Sequence, residues 1–228
     1  MKSAHFGPEL FKFLRDLKRH NDRAWFDRNR ERYERDVKAP LLRFIVDFAE
    51  PLSRISPHML ADPRPMGGSM FRIYRDTRFS KDKSPYKTHA AAQFRHRAGK
   101  DVHAPGFYMH LEPGEVFVGA GIWHPDSPTL ALIRRALVAR GADWRKAVSS
   151  RAFKKECSLA GDVLARPPRG FAPEHPMIAE IKRKDFIAIA QWSERDALRP
   201  GFMDKLAGFC RTTAPMMRFL AKASKLEF

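Results

Sequence analysis

Pro113-Gly114 parts two strand-like runs, residues 106–112 and 115–123. Proline followed by glycine supplies the tight turn that joins antiparallel neighbours. The two runs read as a hairpin, and a hairpin at mid-chain commits the fold to antiparallel pairing. Strand patterns at 70–74 and 88–96 precede it. Further on, Phe186-Ile187-Ala188-Ile189-Ala190 is nearly continuous apolar, which suits a central strand. A sheet of about five strands is expected.

The flanks read as helix. Gly7-Pro8 opens the first, with Leu10, Phe11, Leu14 and Leu17 at helical spacing. Asn21-Asp22 is a stop and a new N-cap. The next helix carries Trp25, Phe26, Asn29 and Tyr33, with Asn29 placed to reach the basic loop of the sheet. A third starts near Pro40. Ser127-Pro128 caps a helix expected to stop at Gly141, and shorter helical pieces cover about 143–157. A proline-rich loop spans 165–176. Pro200 opens a last helix, expected to kink or break at Pro215. Helices, then strands, then mixed elements predict a single α+β domain over 1–228, mostly antiparallel. Its parts are a helical segment at 1–55, a sheet with a basic loop at 69–124, and a mixed helical segment at 126–228.

Composition narrows the function classes. Apolar residues make up 43% of the 228, so disordered and disulfide-scaffold classes drop out. No apolar run approaches a membrane span of about 20 residues, and the N-terminus lacks a signal core, so a cytoplasmic location and no membrane partner are expected. Cys157 and Cys210 read as reduced, packed thiols. Lys and Arg number 43 against 26 Asp and Glu, a formal charge of +17. Each quarter of the chain carries an excess of cations. Such a field favours an anionic small molecule or nucleic acid as partner, and its bland reading is a solvated basic surface.

One segment concentrates the chemistry. Residues 72–87 hold six cations and two carboxylates, interleaved with Tyr74, Phe79 and Tyr86. Most of it must be a loop, and loops of this length inside a domain are often functional. In the leading reading Arg72, Arg75, Arg78, Lys83 and Lys87 hold an anionic, phosphorylated ligand. Trp123 or Tyr86 would stack on an attached ring. For an enzyme, the acid–base or metal candidates are Asp76 and Asp82, with Tyr86 and His110 behind them. A second reading is nucleic-acid contact, with cations on phosphates and aromatics on bases. The third is a structural or adaptor protein: Arg–Asp pairs tie the loop to the sheet, with Phe79 and Tyr86 packed beneath.

This run, from Arg72 to Thr88, is joined by Asn21-Asp22-Arg23-Ala24-Trp25-Phe26, Asn29 and Tyr33. Gly106 to Gly114, Gly119-Ala120-Gly121-Ile122-Trp123, Arg166 to Phe171 and His175-Pro176 complete the set. Together they resemble the family catalogued as domain of unknown function 2461 over nearly the whole chain. The resemblance implies a single domain of cytoplasmic type and brings no assigned activity.

Other features are weaker. Gly119 and Gly121 share a strand face with Phe117 and Trp123, which points to a helix or a ligand lying close on the backbone. Tyr108, His110 and Glu112 share a face of the preceding strand. His89, His103, His110 and His124 show no metal spacing, so no metal ligands are assigned, although folding can still gather such groups. The stretch 166–171 suits either a lid, with Arg166 and Arg169 adding charge, or a rigid wrap. The cofactor and oligomeric state stay open.

Overall fold

The computed structural model describes residues 4–99 and 104–228; His103 lies outside them. The N-terminal third is helical: α1 (Pro8–Arg19), α2 (Arg23–Arg28), α3 (Arg30–Tyr33), a π-helical turn (Glu34–Lys38) and α4 (Ala39–Ser53). Asp22 caps α2 by accepting the Trp25 N–H at 2.8 Å, as its position after Asn21 predicts.

Three strands follow: β1 (Ala90–Arg95), β2 (Gly106–Glu112) and β3 (Glu115–Ile122). Then come α5 (Ser127–Ser149), α6 (Arg151–Glu156), β4 (Ser158–Ala160), α7 (Ile178–Ile181), β5 (Phe186–Trp192), α8 (Glu194–Ala197) and α9 (Phe202–Ala223). The sheet order is β1-β2-β3-β5-β4, with every pairing antiparallel. Gly114 takes φ +82° in the β2–β3 turn, the conformation a glycine adopts freely.

The sheet has two unlike faces. Phe107, Met109 and Leu111 of β2 and Val116, Val118 and Ile122 of β3 point into the core. Helices cover that side: Phe94 of β1 meets Phe48 of α4 at 4.9 Å, and Phe186 of β5 meets Trp144 of α5 at 5.7 Å. Helix α9 packs on β3. The other face carries Tyr108, Phe117, Gly119 and Ile189 and holds the cavity described below.

Three local expectations are corrected. The run at 70–74 forms isolated bridges, Met70 to Ala92 and Tyr74 to Tyr86, and the fifth strand is β4. After Phe71 the backbone leaves β1 and pairs with residues 85–87: Lys87 N–H donates to Ile73 O at 2.7 Å and Arg75 N–H to Pro85 O at 2.9 Å. Helix α5 does not stop at Gly141. It breaks stride at Arg140 (φ −137°, ψ 38°) and resumes, and Gly141 is buried where a Cβ would stand 2.6 Å from Met177 Cγ. Helix α9 begins after Gly201 and runs through Pro215, because Ala214, Met216 and Met217 beside it are buried in the core. That packing outweighs the single hydrogen bond that proline removes.

Candidate functional site

The basic loop is a distorted hairpin whose two carboxylates are both taken by arginines of the loop itself. The Arg78 guanidinium reaches both Asp76 oxygens, at 3.0 and 2.7 Å, and Arg78 N–H adds a third bond at 3.2 Å. Asp82 pairs with Arg75 and accepts from the Ser84 N–H at 2.9 Å and the Ser84 hydroxyl at 2.6 Å. These bonds hold Asp76 down at about 2, chiefly through Arg78, and hold Asp82 lower than an ordinary carboxylate, chiefly through Ser84 and then Arg75. Lys83 donates to Thr77 O at 2.9 Å. Phe79, at the tip, is 95% exposed rather than packed beneath the loop.

Tyr86 stacks on Phe26 with centroids 4.1 Å apart and is buried. Burial raises its phenol pKa, and its ring is not part of the cavity wall. The N-terminal residue that reaches the loop is Asn21, at the α1–α2 junction. Asn29 instead bonds Trp25 O and Arg32, each at 2.9 Å.

Where the loop returns to the sheet, a cavity of about 550 Å³ opens on the face away from the helices. Its floor is Gly106, Gly119 and Gly121, and its walls include Phe71, Phe117, Trp123 and Ile189. The floor is flat because the sheet register sets the three glycines side by side: Gly106 opposite Gly121, and Tyr108 opposite Gly119. Gly121 serves the sheet: its φ is +134° and a Cβ would lie 1.9 Å from Phe186 O. At Gly119 a Cβ would meet nothing closer than 3.8 Å, so that position leaves room above the floor.

Lys87 enters this apolar wall. Its ammonium donates to Arg72 O at 2.9 Å and lies 5.4 Å from the Phe71 ring centroid. Burial, then Arg72, lowers its pKa. Among the described residues neither Lys87 nor the exposed Arg72 guanidinium faces a carboxylate partner. Trp123 is 50% exposed at the rim, its ring 4.2 Å from that of His124.

Beside the cavity lies a polar cluster. Tyr108 Oη and His110 Nδ1 are 3.0 Å apart, and His110 Nε2 is 3.3 Å from Glu112 Oε2. His89, which also lines the cavity, sits 4.3 Å from His110 ring to ring, with Nδ1 3.9 Å from Glu112 Oε2. Burial, then His110, pushes His89 down to about 4, against the pull of Glu112. Burial lowers His110 as well. At Glu112 burial acts upward, yet hydrogen bonds from Thr88 and His110, with Lys18 nearby, leave its pKa below the usual value.

A family model described as a conserved hypothetical protein (DUF2461) matches residues 9–219. The chain belongs to this family. Comparison with curated proteins and with solved structures gave no match.

In this DUF2461 chain the fold joins only part of the sequence-derived set. Lys87 and Trp123 line the cavity, and His110 stands beside it. Arg75, Arg78, Asp76, Asp82 and Lys83 make their contacts within the loop. Arg166 and Arg169 are exposed and line neither this cavity nor the basic groove between α5 and α9. His89 gains its place only from strand register: the β1–β2 ladder pairs Ala90 with Leu111, and one step further sets His89 across from Glu112. No helix among the described residues is long and apolar enough to cross a membrane.

Proposed function

We propose that the chain binds a small organic anion with a flat, apolar body. The body lies over the Gly106–Gly119 floor against Trp123, and the anionic group meets Lys87 with Arg72 beside it. The observation that carries this is Lys87, a half-buried cation in an apolar wall with a carbonyl and a ring face as its company. A buried charge without a counter-charge costs free energy, and a ligand anion would offset that cost. With Arg75 and Arg78 paired to Asp82 and Asp76 within the loop, the lysine and arginine left beside the cavity suit a carboxylate or a singly substituted phosphate.

The test is a panel of aromatic carboxylates, aryl phosphates and nucleoside monophosphates, screened by thermal shift and then calorimetry. A ligand at 100 times its Kd adds about 2.7 kcal/mol of stability. At least one class should stabilise the wild-type chain, with binding weakened tenfold or more in Lys87→Met. No stabilisation by any class, or equal binding to Lys87→Met, overturns the reading.

A separate observation favours a second reading. Arg140, Lys146, Arg218 and Lys222 line an open groove of about 450 Å³ in which Asp143 is the one carboxylate. Such a stripe suits a phosphate backbone, with a log–log salt slope of about −0.9 per neutralised phosphate of duplex DNA. Charge reversal at Arg218 and Lys222 should abolish that binding and leave small-anion binding intact.

A further inference from the structure

The cluster of His89, His110 and Glu112 holds one residue that hydrogen bonding does not explain. His110 is fully engaged, by Tyr108 on one ring nitrogen and Glu112 on the other. His89 is half-buried in the same cluster, and its 3.9 Å separation from Glu112 Oε2 is too long for a hydrogen bond. A proton relay through Tyr108, His110 and Glu112 leaves His89 without a role.

An ion gives all three a role. One ligand atom from each residue lies within 4.8 Å of the other two. Zinc bound at about 2.0–2.2 Å in tetrahedral geometry sets its donors roughly 3.3 Å apart. The His110–Glu112 separation is already 3.3 Å. His89 must close from 3.9 Å on Glu112 and from within 4.8 Å on His110, a shift of about 0.5–1.5 Å that a rotamer adjustment of its half-buried ring can supply. Two imidazoles and a carboxylate suit zinc and its first-row neighbours, whereas calcium and magnesium prefer oxygen ligands.

The surrounding bonds orient these donors. The contact between Tyr108 Oη and His110 Nδ1 turns Nε2 towards Glu112. Glu112 divides its oxygens: Oε1 accepts from the Thr88 hydroxyl at 2.8 Å and lies 3.5 Å from Lys18 Nζ, while Oε2 faces the histidines. Outer partners of this kind fix the tautomer and aim of metal ligands.

We propose that His89, His110 and Glu112 bind one divalent transition-metal ion of the zinc class. Three protein ligands leave a fourth position for water or a ligand group, the pattern of catalytic rather than structural zinc. Because His89 also lines the cavity, the ion would sit at its margin, within reach of a molecule held there.

The experiment uses untagged full-length protein stripped with a chelator, then titrated with Co²⁺ and Zn²⁺ by calorimetry and visible absorption. The expected result is one equivalent per chain, with tetrahedral Co²⁺ bands that Zn²⁺ displaces. Affinity should fall at least 100-fold in Glu112→Gln and His89→Gln, and about 10- to 100-fold in Tyr108→Phe. His89→Gln alters a half-exposed side chain and decides the matter if Glu112→Gln fails to fold. No saturable binding to the wild type, or one equivalent retained by His89→Gln at unchanged affinity, overturns the proposal. The titration contains no organic ligand, so its failure leaves the Lys87 reading untouched. Lys87→Met should still take up its equivalent of metal.

Discussion

Asn21 grips Tyr86 with both ends of its amide: Oδ1 accepts the Tyr86 N–H at 3.0 Å while Nδ2 donates to the Tyr86 carbonyl at 2.9 Å. This pair ties the α1–α2 junction to the end of the basic loop, two residues before Thr88. It aligns the segment that carries Lys87 and His89 to the cavity. Asn21→Ala removes both bonds and leaves two partly buried backbone groups unanswered, at a cost of about 1–3 kcal/mol. Urea unfolding should show that loss, and amide exchange should show Lys87 N–H less protected. A change near zero would mean that the Phe26–Tyr86 stack holds the loop unaided.

The two β3 glycines should respond in opposite ways. Gly121→Ala forces a Cβ against Phe186 O at a φ of +134°, so a loss of roughly 3 kcal/mol or more, or no folded protein, is expected. Gly119→Ala meets only ordinary contacts, beginning at 3.8 Å, and should change stability by less than about 1 kcal/mol in either direction. Gly119→Leu should fold and fill the cavity, abolishing binding of any ligand that rests on the floor. Thermal unfolding of the three variants checks the ordering. Equal damage from both alanines would show that Gly119 also serves the backbone.

The secondary structure was legible because its signals are local. The apolar period marks α1 and α4, Pro113-Gly114 marks the hairpin, and the alternation in β2 already puts Tyr108, His110 and Glu112 on one face. Failures occur where a distant contact decides the outcome. Gly141 looks like a helix stop until Met177 is seen packed against it, and Pro215 looks like a break until its buried neighbours are seen. The site shows the same limit. Charge density drew attention to the loop tip, but whether a cation is answered depends on partners that spacing does not reveal. His89 joins His110 and Glu112 only through pairing between strands, which no run of residues displays.

Asp76 and Asp82 should titrate as structural carboxylates. With folded pKa values below the unfolded ones, their contribution is present in full above the ordinary aspartate value of about 3.9. It is lost as the pH falls through the folded values, about 2 for Asp76 and likewise depressed for Asp82. Carboxyl ¹³C shifts should therefore stay at their ionised positions down to about pH 3. A midpoint at or above 4 for either would mean that its loop pairing does not persist in solution. Any activity found for the chain should show no pH limb from these two groups between pH 5 and 8, since neither holds a proton there.

The two thiols offer a probe of the helical side. Cys210 is fully buried in α9, and burial raises its pKa. Cys157, 9% exposed, is pushed up to about 12 by burial and then by Glu156, with Sγ donating to Phe153 O at 3.4 Å. Alkylation needs the thiolate, and at pH 8 the raised pKa keeps Cys157 in its thiol form. Native protein should thus resist iodoacetamide at both positions while urea-unfolded protein is labelled twice. Labelling of Cys210 should follow opening of the core, so its rate should rise with urea in step with unfolding. Fast native labelling of Cys210 with Cys157 still protected would locate a separate opening of α9, and would overturn the view that the proline-containing helix is held by its packing along its whole length.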